Sequence, residues 1–257
     1  MEEAKAVVVK EMGKRDFCLV YTANHLKVVA DGRVAFEFPA KKDYEFLSLF
    51  AKVRADAMRF LRENGDFCCE RLDYRSYVHF EQGRLADDMV DFAGVEIDLN
   101  AAYWNAAKKL FLSDDTYLHG LNKKRIRLKA LGALSAKKTT EVWEKGMMVS
   151  CVVERPVTND IFFAVAKEVS RVVDTCHAAA DECFAYYVDC VFLNDKNGVG
   201  RDIVRYIISN FGYGYKEIDC GYKIYYDEKF VTLQVNKSNN CTSYIFKRND
   251  CGSKRIE

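Results

Sequence analysis

Two apolar, strand-like runs each carry an aspartate, and each leads into a helical pattern. GVEIDL (Gly94–Leu99) contains Asp98 and runs into the Ala-rich NAAYWNAAKKLFL; CFAYYVDCVFLND holds Asp189 near the middle of a strongly apolar strand, ahead of NGVGRDIVRYIISNFG. A carboxylate in such a run costs several kcal/mol unless it is neutralised or finds a cation, so the fold must supply a partner at both places. If the two strands are neighbours, Asp98 and Asp189 can hold a pair of divalent cations roughly 3.5 to 4 Å apart, the arrangement that stabilises attacking and leaving oxygens in phosphoryl or nucleotidyl transfer. The residues alone leave open that each Asp caps a helix or pairs with a lysine.

After residue 90 the pattern is strand, helix, helix, strand, helix, strand, helix, strands, which predicts an α+β fold with an antiparallel sheet covered by helices. NDIFFAVAKEVSRVVDTCHAAA from Asn159 is a long amphipathic helix, MMVSCVVERPV a buried-type strand, and YKEIDCGYKIYYDEKFVTLQV two or more closing strands. Ahead of residue 90, AVVVKE, FCLVYTA and LKVVADGRVAFEF alternate as strands, the last turning at Asp31-Gly32. YEFLSLFAKVRADAMRFLREN (Tyr44–Asn64) has helical spacing and stops at Gly65. DFCCERLDYRSYVHFEQGRLADDMVD reads as strand, hairpin or loop. Residues 1–90 are therefore expected to form a small, β-rich N-terminal α+β subdomain, and 91–257 a second domain.

Composition excludes several classes. The only prolines are Pro39 and Pro156, and no low-complexity stretch argues for a linker or a collagen-like region. The N-terminus lacks the basic and apolar regions of a secretory signal, and no run approaches the roughly 18 apolar residues of a spanning helix. A cytoplasmic protein with no membrane partner is expected, with its ten scattered cysteines reduced. No C-x2-C or H-x3-H pair occurs, so no structural zinc site is expected, and His119 and His177 read as structural. Net charge is +1, yet Asn122–Lys138 carries seven Lys or Arg and no acid, a solvated helix face or a phosphate-facing stripe. The many tyrosines of the C-terminal third are expected mostly as core or sheet residues.

Four short motifs, in order, resemble those of family B DNA polymerases. Asp98-Leu-Asn-Ala-Ala-Tyr103-Trp104 resembles motif A, D-x-x-S-L-Y-P, with Ala101, Ala102 and Trp104 departing from it. Lys124 to Gly132 keeps the Lys and Gly of motif B, K-x3-N-S-x-Y-G, while Leu128, Lys129 and Leu131 replace Asn, Ser and Tyr. Tyr187-Val188-Asp189-Cys190-Val191 resembles the hairpin motif C, Y-x-D-x-D, with Val191 where the usual second metal ligand stands. Lys223-Ile224-Tyr225 resembles K-x-Y.

The resemblance covers about residues 91–235 and implies a polymerase-type palm, an antiparallel sheet backed by helices. It assigns Asp98 and Asp189 as catalytic metal ligands for Mg²⁺, or Mn²⁺. Tyr103 then packs under the nucleotide sugar, Lys124 contacts nucleotide phosphates with help from Lys129 and Arg125, and Lys223 and Tyr225 hold the primer strand. Segment 99–123 is too short for long helical fingers, which leaves stub fingers (105–140) and a reduced thumb (about 230–257). The first 65 residues hold no D-x-E pair on a strand followed by further acids, so no proofreading exonuclease is expected.

The function implied is a minimal DNA polymerase or nucleotidyltransferase acting on a primed template and deoxynucleoside triphosphates. The alternative is a catalytically degenerate palm that binds nucleic acid or assembles with replication proteins, a reading favoured by Val191. A third possibility is an unrelated α+β protein with structural aspartates.

Overall fold

A computed structural model describes residues 2–22, 25–38, 43–71, 77–86, 89–195, 197–238 and 240–248. In chain order the elements are α1 (Glu2–Met12), β1 (Phe17–Tyr21), β2 (Leu26–Ala30), β3 (Arg33–Phe38), α2 (Tyr44–Asn64), β4 (Val78–Phe80), β5 (Asp91–Leu99), α3 (Ala102–Leu110), α4 (Asp114–Gly120) and α5 (Lys124–Ala133). They continue with β6 (Lys138–Glu144), β7 (Met147–Glu154), α6 (Asn159–Ala179), β8 (Cys183–Tyr187), β9 (Cys190–Leu193), α7 (Val199–Asn210), β10 (Tyr215–Tyr226), β11 (Phe230–Lys237) and β12 (Asn240–Lys247). The fold is α+β and its sheets are antiparallel, as the pattern predicts. No helix of the described residues is long and apolar enough to cross a membrane.

Two compact units make up the chain: Met1–Cys69 with Phe111–Phe162, and Glu70–Leu110 with Phe163–Glu257. The expected boundary near residue 90 falls inside the second unit, and the segment expected as stub fingers divides between the units at Phe111.

In the first unit a five-stranded sheet has the order β3-β2-β1-β6-β7. Its two tightest hairpins turn at Asp31-Gly32 and Lys145-Gly146, where both residues take positive φ, the type that matches strand twist. AVVVKE, expected as a strand, lies instead in α1. Its β-branched run hides a helical spacing: Val8 is buried against Phe17, Leu19, Leu26 and Val28, with Val9 and Met12 beside it. One turn earlier Lys5 donates to Glu141 Oε1 at 2.6 Å, and Tyr21 OH (2.8 Å) and Trp143 Nε1 (3.1 Å) also donate to that carboxylate. Burial works to raise the Glu141 pKa, but these three donors outweigh it and hold the carboxyl below its usual range. β7, expected to be buried, is an edge strand whose side chains are exposed along its length. Beyond the sheet, α2 starts on its Asp43 cap, ends at Gly65 and packs with α4 and α5.

A seven-stranded sheet of order β12-β11-β10-β5-β9-β8-β4 organises the second unit. Residues 230–247, expected as a reduced thumb, are β11 and β12 of this sheet; residues 249–257 lie outside the described residues, as do 72–76 and 87–88 of the stretch read as strand, hairpin or loop. The sheet curls until its edges approach, with the rings of Phe80 on β4 and Phe246 on β12 at 5.5 Å. Inside the curl lie Phe184, Phe192, Tyr222 and Leu233, all fully buried. The outer face of β5, β9 and β10 carries α7, tied down by Arg205 to Glu217 (2.5 and 2.6 Å) and Arg201 to Asp219 (3.0 Å). Lys109 of α3 donates to the Phe211 carbonyl at the end of α7, and Arg171 of α6 stacks over the Phe211 ring, so the three helices are joined there.

β5 is the central strand, and Gly94 is what lets it sit there. A Cβ at this position would stand 2.3 Å from the Leu193 carbonyl oxygen and 2.4 Å from the Tyr222 ring. The first obstacle is backbone and the second a fully buried ring, so neither yields without moving a neighbouring strand or emptying the core. Gly94→Ala is expected to lower stability in urea unfolding by roughly 1 to 3 kcal/mol, the usual range for overpacking. A loss below about 0.5 kcal/mol, the surface-mutation range, would contradict this packing.

Candidate functional site

Asp98 stands one residue from the C-terminal end of β5, and Asp189 in the turn of the β8–β9 hairpin. The run CFAYYVDCVFLND is therefore not one strand with Asp189 inside it: Tyr187 ends β8, Val188-Asp189 turn, and Cys190 begins β9. β5 pairs with β9 so that Asp98 faces Cys190, and the Leu99 N–H donates to the Asp189 carbonyl at 2.9 Å. The hairpin turn and the end of β5 are thereby fastened together, which brings the two aspartates to the same end of adjacent strands.

Backbone strain marks the same place. Among the described residues, four other than glycine have positive φ. Asp31 and Lys145 belong to the two Gly-containing hairpins, where such angles are ordinary. The other two are Val188 (φ 59°), directly before Asp189, and Ala101 (φ 52°), between β5 and α3. A β-branched residue in the left-handed region is an outlier, at a cost of roughly 1 to 2 kcal/mol. Val188 is held there in part by its N–H, which donates to the Tyr77 carbonyl at 2.6 Å. Strain maintained on both sides of a carboxylate pair is a common mark of functional sites.

Electrostatics converge here as well. Residues directly opposite on antiparallel strands, and those two apart on one strand, share a face, so Glu96, Asp98 and Cys190 point to the same side. Burial and then the charges of Glu96, Asp189 and Asp98 push the Cys190 thiol well above its ordinary pKa, which keeps it protonated. Burial and the Asp189 charge likewise raise the Tyr103 phenol. Glu96 is buried and its charge is met by Lys237 at 2.6 Å, with Tyr244 OH at 3.5 Å. Across from Asp98 on β10 stands the exposed Lys216, in direct register. Val191 pairs with Ile97, one position out of phase with Asp98, and is buried on the opposite face. A carboxylate at 191 would be buried there; the chain's second acid at this site is Asp189.

The remaining predicted residues lie elsewhere. Lys223 and Tyr225 are on β10, but Lys223 is in register with Asp91, seven residues along β5 from Asp98 and thus about 24 Å away in an extended strand. There Lys223 pairs with Asp91 at 3.2 Å and Tyr225 OH donates to Gln234 at 3.3 Å. This fold does not bring the K-x-Y residues to the aspartates. Lys124, Arg125 and Lys129 belong to the first unit, where with Lys123, Asp43 and Glu45 they line an open cavity of about 520 Å³. Asp43 meets Lys129 (3.3 Å) and Glu45 meets Lys123 (2.8 Å). Lys124 and Arg125 occupy the first turn of α5, which holds no acid. Cations at a helix N-terminus oppose its dipole, and a phosphate would relieve both.

The sequence carries no signal for the placement of Lys216 opposite Asp98, since no motif surrounds it, or for the strained Val188, visible only as the x of Y-x-D. Also unpredicted is a group formed by His79, Glu81 and His177, the one set of three His, Cys, Asp or Glu ligand atoms within 4.8 Å of one another among the described residues. The alternation of H-x-E at 79–81 is a signal for two of them; His177 is distant in sequence. Comparison with protein-family models, with curated proteins and with solved structures finds no match to this chain.

The strain at Ala101 makes a direct check possible. Glycine adopts positive φ freely, so Ala101→Gly is expected to leave stability unchanged or raise it by up to about 1 kcal/mol. Ala107→Gly, inside α3, should cost about 1 kcal/mol or more. Equal losses for both in urea unfolding would show that residue 101 is not held left-handed.

Proposed function

We propose that the chain is a minimal polymerase-type palm that transfers nucleotides to a primer, with Asp98 and Asp189 as ligands of Mg²⁺. The observation that carries this is the pairing of β5 with β9, which puts an acid at a strand end beside an acid in a hairpin turn. Carboxylate oxygens are the donors that Mg²⁺ prefers, and two acids on rigid strand ends can share metal ions that bridge attacking and leaving oxygens. Tyr103, on the first turn of the helix after β5 and within the field of Asp189, supports its role beneath a nucleotide sugar.

Within the first unit, the basic cavity around Lys124, Arg125 and Lys129 has the chemistry to hold a phosphate. Lys216 is a further cation beside the metal ligands, on the side of Asp98 away from Asp189. Roles for Lys223 and Tyr225 at the primer terminus have no geometric support, and the proposal does without them.

A second reading, a palm that binds DNA without catalysis, is favoured by one observation: the position of the usual second ligand is the buried Val191. Primer extension separates the two. With Mg²⁺ or Mn²⁺ the wild-type chain is expected to extend a primed template, and Asp98→Ala and Asp189→Asn to abolish incorporation while their circular dichroism is unchanged. Salt-sensitive DNA binding without incorporation would establish the second reading. Absence of both, or extension by Asp98→Ala at the wild-type rate, would overturn the palm assignment.

A further inference from the structure

His79 sits in the short edge strand β4, and Glu81 directly follows it with extended backbone, so both side chains project to one side. The Glu81 N–H donates to the Phe184 carbonyl (2.8 Å), which continues the pairing with β8 past the end of β4. On the facing last turns of α6 is His177. Its ring meets that of His79 edge to face at 4.8 Å, and Tyr186 closes one side with centroids 5.7 and 5.6 Å from the two imidazoles.

The state of His177 asks for a partner. The residue is 6% exposed, and its Nε2 is buried with no hydrogen-bond partner. An unsatisfied buried ring nitrogen costs about 1 to 3 kcal/mol, and native proteins rarely leave one. Glu81 Oε2 is 3.4 Å from that nitrogen, longer than the 2.7 to 2.9 Å of a charge-assisted hydrogen bond. A hydrogen bond therefore does not account for the arrangement.

A metal ion does account for it. Two ligands bound tetrahedrally at about 2.1 Å from one ion stand roughly 3.4 Å apart, which is the separation of His177 Nε2 and Glu81 Oε2. All three ligand atoms already lie within 4.8 Å of one another, so closing the set requires only rotamer-scale adjustment. Arg84 supplies what metal-bound carboxylates commonly have behind them: its Nε donates to Glu81 at 2.7 Å, while its Nη1 donates to the carbonyls of His177 (2.6 Å) and Ala180 (2.8 Å). A carboxylate offers about four lone-pair directions, so the bond to Arg84 orients Glu81 and leaves acceptor capacity for an ion.

We propose that His79, Glu81 and His177 bind a divalent transition-metal ion of the zinc type, with water completing the coordination. Two imidazoles and one carboxylate select zinc-like ions over Mg²⁺ or Ca²⁺, which take oxygen ligands. The site is thus chemically distinct from the Asp98–Asp189 pair. Its structural effect is to fasten edge strand β4 to the C-terminal end of α6, within the second unit.

The test uses the full chain after treatment with a chelator. Titration with Co²⁺ is expected to give the visible ligand-field bands of a single bound ion without the thiolate charge-transfer absorption that cysteine ligation produces. Zn²⁺ should compete with Co²⁺ and raise the melting temperature, whereas Mg²⁺ should do neither. His79→Ala and Glu81→Gln are both less buried than His177 and should keep the fold by circular dichroism, yet weaken Co²⁺ binding by more than about 10-fold. His25→Ala should bind as the wild type does. No ligand-field spectrum, a spectrum with thiolate charge transfer, or undiminished binding by His79→Ala and Glu81→Gln would overturn the proposal.

Discussion

Strand β5 is hydrogen-bonded on both edges, to β10 along its whole length and to β9 over Val95–Asp98, and the second unit is arranged around it. Its inner face joins the aromatic core of the curled sheet, and its outer residues Val95, Ile97 and Leu99 are buried on the side where α7 lies. The one departure from side-chain packing, Gly94, is the point where the Leu193 backbone and the Tyr222 ring come too close for a Cβ. With β5 held this firmly, the end of the strand is a rigid support for Asp98, and the bond from Leu99 to the Asp189 carbonyl extends that rigidity to the neighbouring turn. Sites carried on strand ends keep their geometry better than sites carried on loops.

What was legible in the sequence was local. α2 and α6 have long helical periodicity with clear starts and stops, and the Asp31-Gly32 hairpin has turn chemistry that few other conformations use. α1 departs from the strand its sequence predicts: its three consecutive valines favour strand by propensity, while the residues that decide the matter, Lys5, Val8, Val9 and Met12, are spaced for a helix and gain their stability from the sheet. β7 looked buried because Met147–Val153 is apolar, and nothing in a single strand's sequence says that it will lie at an edge. The hairpin at Asp189 shows the same limit: the positive-φ position of the turn is held by a valine where Gly or Asn would signal it, and its conformation is imposed by the pairing of β8 with β9 and by the bond to Tyr77.

The candidate site was partly legible for the same reason. Asp98 and Tyr103 belong to one short motif that stays local in space, and the pairing of β5 with β9 brings Asp189 to the same end of β5. Lys223 and Tyr225 are placed by the register of β10 against β5, a long-range pairing, and that register sends them to the far end of the strand while bringing Lys216 beside Asp98. His79, Glu81 and His177 depend on how a helix end meets an edge strand, so no spacing rule could have found all three. If both proposals hold, one unit carries two kinds of ligand set, oxygen donors at the strand ends and nitrogen-rich donors by α6, suited to different ions.

Central to the account is that Asp98 and Asp189 share a metal ion. The most direct measurement is an anomalous difference map from crystals of the chain soaked in Mn²⁺ with a deoxynucleoside triphosphate. A peak between the two carboxylates, with triphosphate oxygens completing its coordination, is the result predicted. Ordered carboxylates with no peak between them, in crystals where the nucleotide or Mn²⁺ is bound elsewhere, would contradict it.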